Sequence, residues 1–291
     1  MRIVNIVDNI RPVNVGVWRA AVVTAPELLA AHGTASSVWF PAGEPYQEDQ
    51  FAGARPVPLP TLSPRAALAA VEQEGLSPAD TVVVSHGMWH YPTRWGAALR
   101  AKGFRWVHVP HGMLEPWPLR QKRLKKWTYF RLLERRLIRR ADVVRAVSSP
   151  ERDRLARWFD HTHLIANGVP RQETDLTKPA RRTVFYMGRL HHKKGVVPLV
   201  RAWQASSLAT RDDYQLIVAG PDDGELPKLE AALPTGGGNV RYVGAVHGAE
   251  KERYLRMSHF FALPSHSEGL PTTVPETMQW GLVPLISEGC N

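Results

Sequence analysis

Gly188-Arg189-Leu190-His191-His192-Lys193-Lys194-Gly195 follows an apolar, strand-like run and precedes a helix-like one. Gly188 lets a backbone come close to a ligand, and Arg189 and Lys194 bring two cations to the start of a helix. A diphosphate suits that setting: the guanidinium fork bridges two oxygens, the ammonium adds a point charge and free amides donate. The same residues also read as a basic strand-to-helix turn that holds no ligand. Neither Gly-x-Gly-x-x-Gly nor a Walker loop occurs, so a dinucleotide oxidoreductase and a P-loop NTPase lose support.

Glu268-Gly269-Leu270-Pro271 follows the run Phe260–Leu263, and Glu276 comes just after Pro275. A carboxylate in a Gly/Pro loop, beside free amides, suits vicinal hydroxyls such as those of a ribose or hexose. Glu276 also reads as a favourable acid in the first turn of a helix. His86 and His111 each follow a strand-like run and precede a glycine; the other histidines read as surface or loop residues. Histidine spacing makes no zinc site, and Asp-x-Asp does not occur. Cys290 is the one cysteine, which leaves no disulfide and no thiolate metal site, and points to a reducing, cytoplasmic compartment.

The elements that must position these residues follow from hydrophobic patterning over 291 residues. In the first part, strands are expected near Arg2–Val7, Ser36–Phe40, Thr81–Ser85, Arg105–Val109, Asp142–Val147 and His161–Ile165. Helices are expected near Gly16–Ala31, Pro64–Gln73, Thr93–Ala101, Leu119–Arg139 and Pro150–Trp158, with Gly43–Pro64 as a proline-rich connection. In the second part, strands fall near Thr183–Met187, Tyr214–Ala219, Val240–Val243, His259–Leu263 and Leu282–Ile286. Helices there fall near Lys194–Ala205, Glu225–Ala232, Gly248–Met257 and Pro275–Trp280. Alternating units of this kind make parallel sheets buried on both faces. The polar stretch 170–182 divides them into two Rossmann-like α/β domains, residues 1–172 and 173–291. Ligands of such sheets bind beyond the carboxyl ends of the strands, where His86, His111, Gly188, Arg189, Gly220, Gly244 and Glu268 are found. Two such edges facing each other would form a polar cleft.

The formal net charge of +10 resides in residues 1–172, while the remainder is balanced. That asymmetry calls for an anionic partner of the first domain. The run Arg120–Arg140 concentrates the cations around one acid, Glu134. On a regular helical wheel Leu124, Trp127, Phe130, Leu133, Leu137 and Ile138 fall on one half, and Lys125, Arg135, Arg136, Arg139 and Arg140 on the other. This reads equally as a helix packed on its sheet with a solvated basic face and as an attachment to anionic lipid. No nucleic-acid module or stacking platform is evident. No apolar run reaches bilayer length, and no secretory leader precedes Arg2.

Taken in order, Gly188-Arg189, Lys194-Gly195, Val218-Ala219-Gly220, Val243-Gly244, Ser267-Glu268-Gly269-Leu270-Pro271 and Glu276 resemble the family 4 retaining glycosyltransferases of the GT-B fold. Asn167-Gly168-Val169 matches the Asn-Gly-Val that precedes the second domain there. Pro110-His111-Gly112-Met113-Leu114 resembles the His-Gly-Met stretch of the members that build bacterial surface polysaccharides, and Asp142 and Ser148-Ser149 also fit the family pattern. The resemblance spans nearly the whole chain. It implies transfer of a hexose, with retention, from a UDP- or GDP-linked sugar to a glycan or lipid-linked acceptor, without a metal.

It further implies that Arg189 and Lys194 hold the donor diphosphate and that Glu276 binds the ribose. Glu268 would contact the donor sugar beside the Gly269–Pro271 backbone, and His111 would sit by the reacting carbon and the acceptor. Catalytic work would thus fall to His111, Arg189, Lys194 and Glu268. Donor binding would fall to Gly188, Arg189, Lys194, Gly220, Gly244, Glu268, Gly269, Leu270 and Glu276. Two departures stand out. Val13-Asn14-Val15-Gly16 has one glycine where the family often has paired glycines, and the chain stops at Asn291, short of the family's final segment, so a truncated second domain is expected. A GT-B sugar-nucleotide epimerase and an inactive nucleotide-sugar or membrane-binding fragment are the rival readings.

Overall fold

The computed structural model describes residues 1–11, 14–114, 123–169, 176–235, 238–268 and 270–290. The chain divides into two compact units, Met1–Pro170 and Arg171–Asn291. The expected boundary between Gln172 and Glu173 lies outside the described residues.

Unit 1 is built on seven strands: β1 (Arg2–Ile6), β2 (Ala35–Pro41), β3 (Arg55–Leu59), β4 (Thr81–His86), β5 (Arg105–Val109), β6 (Val143–Ala146) and β7 (Thr162–Leu164). They pair in parallel in the order β3-β2-β1-β4-β5-β6-β7. Side chains alternate between the two faces of a strand. Thus Trp39 packs with Val4, Ile6, Trp95 and Trp106, while its neighbours Val38 and Phe40 pack with Val7, Trp18 and Phe51. Both faces are covered, which is why these strands read as apolar runs.

Three expectations change here. The proline-rich connection contains β3, which aligns Pro56 with Val38 and Pro58 with Phe40. It is an edge strand, where a residue without an N–H leaves the ladder intact. The helix expected at Gly16–Ala31 is two helices, Val15–Val22 and Ala25–His32.

The third change concerns the basic helix, described from Arg123 to Ile138. It runs as an α-helix to Tyr129, a π-helical turn over Phe130–Glu134 and an α-helix over Arg135–Ile138. Phe130, Glu134 and Ile138 are its buried stripe, whereas Trp127 is 38% exposed and Leu132 62% exposed. A wide i→i+5 turn advances the register relative to a regular helix, so a uniform wheel misplaces Trp127. Arg120, Lys122 and the side chains of Leu124 and Lys125 lie outside the described residues. Among the described residues no helix is long and apolar enough to cross a membrane.

Unit 2 has five parallel strands, β8 (Arg182–Met187), β9 (Tyr214–Ala219), β10 (Val240–Tyr242), β11 (Phe260–Leu263) and β12 (Val283–Ile286), in the order β10-β9-β8-β11-β12. Phe185, Tyr186, Leu216, Ile217, Val218 and Phe261 fill its core with Trp203 and Tyr254 from the covering helices. In each unit the strand order turns back on itself. It does so between β1 and β4 in unit 1 and between β8 and β11 in unit 2. Open α/β sheets bind ligands at such switch points, beyond the carboxyl ends of the strands.

Candidate functional site

In unit 2, the switch point gathers the loops after β8 and β11. Residues His192–Lys194 form one 3-10 turn, and Gly195, at φ +68°, starts the helix Val196–Gln204. A Cβ on Gly195 would lie 2.3 Å from the Pro264 carbonyl oxygen. The two loops therefore touch through backbone, and the His266 N–H donates to the Lys193 carbonyl at 2.8 Å. This contact sets Lys194 beside Glu268, with Nζ 2.6 Å from Oε1. Glu268 is held from the far side as well, its N–H donating to the Gly289 carbonyl at 2.6 Å.

Arg189 meets a carboxylate of its own, Nη1 to Asp223 Oδ2 at 2.6 Å. Asp223 sits in the loop after β9, and that loop is laced to the one after β8. Gly188 N–H donates to Ala219, Leu190 N–H to Pro221, and Asp223 N–H returns to Leu190. A Cβ on Gly220 would lie 1.8 Å from the Gly188 carbonyl oxygen. Gly188 and Gly220 were expected for close approach of a ligand; at Gly220 the approaching group is the protein's own backbone. The Gly220 N–H continues the lacing to the Gly244 carbonyl at 2.8 Å. Around a Cβ position at Gly244, among the described residues and apart from its own chain neighbours, no atom lies within 4 Å.

Glu276 lies in the first turn of the helix Thr273–Gln279 and pairs with Lys251 of the helix Gly248–Met257. Leu270 is half-buried in the same loop region as Glu268, and Gly269 lies outside the described residues. Beneath the site, the buried Tyr186 hydroxyl donates to the Arg189 carbonyl at 3.0 Å. Burial, reinforced by the Glu268 carboxylate, raises that phenol far above its ordinary value, so it remains a donor. Asp223 and Lys251 were missed in the sequence. The cue for Asp223 was its place directly after the Gly220 strand end.

In unit 1, the switch point holds a histidine pair. His86 ends β4 and is buried, while His111 is half-buried after β5. His86 Nδ1 is 2.9 Å from His111 Nε2, and His86 Nε2 is 3.1 Å from Asn5 Oδ1 on β1. Burial first, then the neighbouring His111 imidazole and the Arg145 guanidinium, push His86 well below the usual imidazole range. Burial and Arg145 push His111 down to about 3. Both are neutral at physiological pH. His111 has φ +54°, a left-handed backbone that a residue with a side chain rarely adopts. The next residue is clamped: Gly112 N–H donates to Glu151 Oε1 at 2.6 Å, and Val147 N–H donates to Oε2 of the same buried carboxylate at 2.8 Å.

Asp142, part of the expected motif, ties β5 to its flank by accepting from Trp106 N–H at 2.8 Å and pairing with Arg100 at 2.9 Å. Gly16 lies within the first helix, and Val13 falls outside the described residues. Among the described residues no three His, Cys, Asp or Glu side chains gather as a metal-binding group.

Comparison with known proteins bears on the family and the fold. Residues 16–173 match the family model described as Glycosyltransferase Family 4, and residues 181–290 match that of Glycosyl transferases group 1. An uncharacterised glycosyltransferase of Haemophilus influenzae is 25% identical over 154 residues, 52% of this chain and 42% of that protein. The match thus spans under half of the curated relative's length. Among solved structures, Anabaena HepE in complex with UDP and glucose aligns with TM-score 0.72 at 16% identity, covering 99% of this chain and 81% of that one. The lipopolysaccharide outer core galactosyltransferase WaaB aligns at 0.68 and 15%, covering 100% and 82%. Sucrose-phosphate synthase from Thermosynechococcus elongatus aligns at 0.69 and 18%, covering 99% and 81%. These likenesses identify the fold: two Rossmann-like units of the GT-B kind.

Proposed function

The chain belongs to glycosyltransferase family 4, and on that premise we propose that it moves a hexose from a nucleoside diphosphate sugar to a glycan or lipid-linked acceptor, with retention at the anomeric carbon. The observation that carries this reading is the meeting of Arg189, Lys194 and two carboxylates at the β8/β11 switch point. In the reaction the bond from the anomeric carbon to the diphosphate oxygen breaks. A bond to an acceptor oxygen forms, and the acceptor hydroxyl passes its proton to the departing diphosphate oxygen. Negative charge grows on the departing diphosphate. Arg189 and Lys194 stabilise it as preplaced cations, so this reading requires no metal.

Asp223 and Glu268 hold those cations in position. Glu268 also accepts from hydroxyls of the donor sugar beside Gly269 and Leu270, and Glu276 accepts from the ribose. Backbone near Gly188, Gly220 and Gly244 borders the nucleotide. His111 serves the sugar and acceptor from unit 1. The UDP in the HepE structures favours a uridine donor, with a guanosine donor as the alternative.

Reversible attachment to anionic lipid at a cytoplasmic membrane face fits the exposed Trp127 and Leu132 among Arg131, Arg136, Arg139 and Arg140. An acceptor on a lipid carrier and a role in surface-polysaccharide synthesis go with that placement.

The test is a thermal-shift titration of the full chain with UDP and GDP, followed by product analysis with UDP-glucose in the presence and absence of an acceptor extract. Stabilisation by a nucleoside diphosphate and acceptor-dependent release of UDP are expected. Rearranged sugar nucleotide without acceptor would mean an epimerase. No shift with either nucleotide would remove the donor assignment.

A further inference from the structure

The chain Asn5, His86, His111 has a direction that its atoms determine. The Asn5 Nδ2 group donates to the Ser37 carbonyl at 3.4 Å, so its other terminal atom, Oδ1, faces His86. An amide oxygen only accepts. The nitrogen against it, His86 Nε2, must therefore carry a proton. A neutral imidazole has one N–H, so His86 Nδ1 is bare and accepts. What it accepts is the proton of His111 Nε2, 2.9 Å away. His111 is then the Nε2–H tautomer, and its Nδ1 lone pair meets no hydrogen-bond donor among the described residues. The adjacent triad Trp106, Ser85, His108 ends in the core instead. Trp106 Nε1–H donates to Ser85 Oγ at 2.8 Å, and Ser85 Oγ lies 2.9 Å from His108 Nδ1. His108 is fully buried, whereas His111 is not.

We propose that Asn5 and His86 are positioning residues that hold His111 as a neutral acceptor, its Nδ1 receiving a hydroxyl hydrogen of the sugar substrate. The assignment of a sugar substrate rests on the transferase reading; the tautomer does not. The strained backbone at His111 agrees with a placed group, since such conformations persist where surrounding contacts over-determine them. Here those contacts are the His86 bond on the side chain and the Glu151 clamp on the next amide. A neutral acceptor also restricts what His111 can do: it receives a hydroxyl hydrogen and offers none to a diphosphate oxygen from Nδ1.

Long-range proton–nitrogen correlation on the full chain labelled with [15N]histidine reads the tautomers directly. His86 and His111 are both expected as Nε2–H with bare Nδ1 from pH 5.5 to 8. Asn5→Leu frees His86 to reverse, and His86→Phe removes the acceptor; either variant is expected to populate the Nδ1–H form of His111. An Nδ1–H or doubly protonated His111 in the unmutated chain overturns the proposal, whatever the donor does. UDP release from UDP-glucose supplies the second readout. Asn at 111 presents an oxygen where Nδ1 lies and tolerates a left-handed backbone, so His111→Asn should retain most turnover. His111→Ala should lose on the order of tenfold, as expected for one hydrogen bond. Equal loss in both variants, with UDP binding intact, removes the hydroxyl contact but leaves the donor site standing. Absence of UDP binding removes the transferase reading and the sugar contact together, and leaves the tautomer to be decided by the spectra.

Discussion

Lys194 and Glu268 are 74 residues apart in the chain and meet at 2.6 Å. Their side chains are only 18% and 11% exposed. A cation and an anion so placed restrain each other, and a diphosphate arriving there competes with the carboxylate for the ammonium. In the proposed reading, the pair couples a charge meant for the diphosphate to a group suited to sugar hydroxyls.

That coupling predicts opposite effects from its two members. Lys194→Ala should weaken UDP binding by about 1.5–3 kcal/mol, the range of a charged hydrogen bond. Arg189→Ala should fall at the low end of the same range, because Arg189 is 37% exposed. Glu268→Gln should leave UDP binding equal or tighter, since it removes a competing anion, while UDP-glucose loses its advantage over UDP. Isothermal titration with the two ligands decides this. Unchanged UDP affinity in Arg189→Ala and Lys194→Ala would take the diphosphate away from this site.

Gly220→Ala should destabilise unit 2 by about 3 kcal/mol. The new methyl would lie 1.8 Å from the Gly188 carbonyl oxygen, backbone that cannot swing aside. Gly244→Ala has the same kind of positive φ, +78°, but open space around it, and should cost about 1 kcal/mol. Urea denaturation of the two variants gives the comparison; equal midpoints would mean that the loops after β8 and β9 are not in backbone contact.

Glu134 is fully buried and accepts from the Thr93 hydroxyl at 2.9 Å through Oε2, while among the described residues no donor meets Oε1 in good hydrogen-bond geometry. Burial pushes its carboxyl up to about 7 against an ordinary 4.5, and the Thr93 hydroxyl, the Trp89 amide, the Arg94 guanidinium and the Tyr129 hydroxyl oppose this only in part. An acid raised in the folded state binds more protons folded than unfolded. Stability therefore falls as pH rises from about 4.5 to about 7, by on the order of 3 kcal/mol. Glu134→Gln should remove this slope and raise the urea midpoint at pH 8 while changing little at pH 4.5. A slope that survives the substitution would assign it to other groups.

Flotation of the full chain with vesicles should depend on anionic lipid and decline with salt, over a screening length of about 8–10 Å. The exposed residues select the variants. Changing Arg131, Arg136, Arg139 and Arg140 to Gln should abolish recovery, and changing Trp127 and Leu132 to Ala should reduce it. Recovery that is equal on neutral and anionic vesicles would leave this face a solvated helix surface.

The residue order alone carried the alternation of strands and helices, because short apolar runs bounded by glycine and polar residues have few other folded uses. It also carried the strand-end positions of Gly188-Arg189, His111 and Glu268, since a strand's end is a local property. β3 was hidden because Pro56 and Pro58 argue against a strand until an edge position is known. The partners of the candidate groups required tertiary structure: Asp223 reaches Arg189 across 34 residues, and His86 reaches Asn5 across 81. No spacing rule spans such distances; parallel pairing across the sheets brings these residues together. The π turn at Phe130–Glu134 likewise decided that Trp127 lies at the rim of the buried stripe, 38% exposed, rather than at its centre. A wheel assumes one angle per residue, and only packing against the sheet chose where that angle changes.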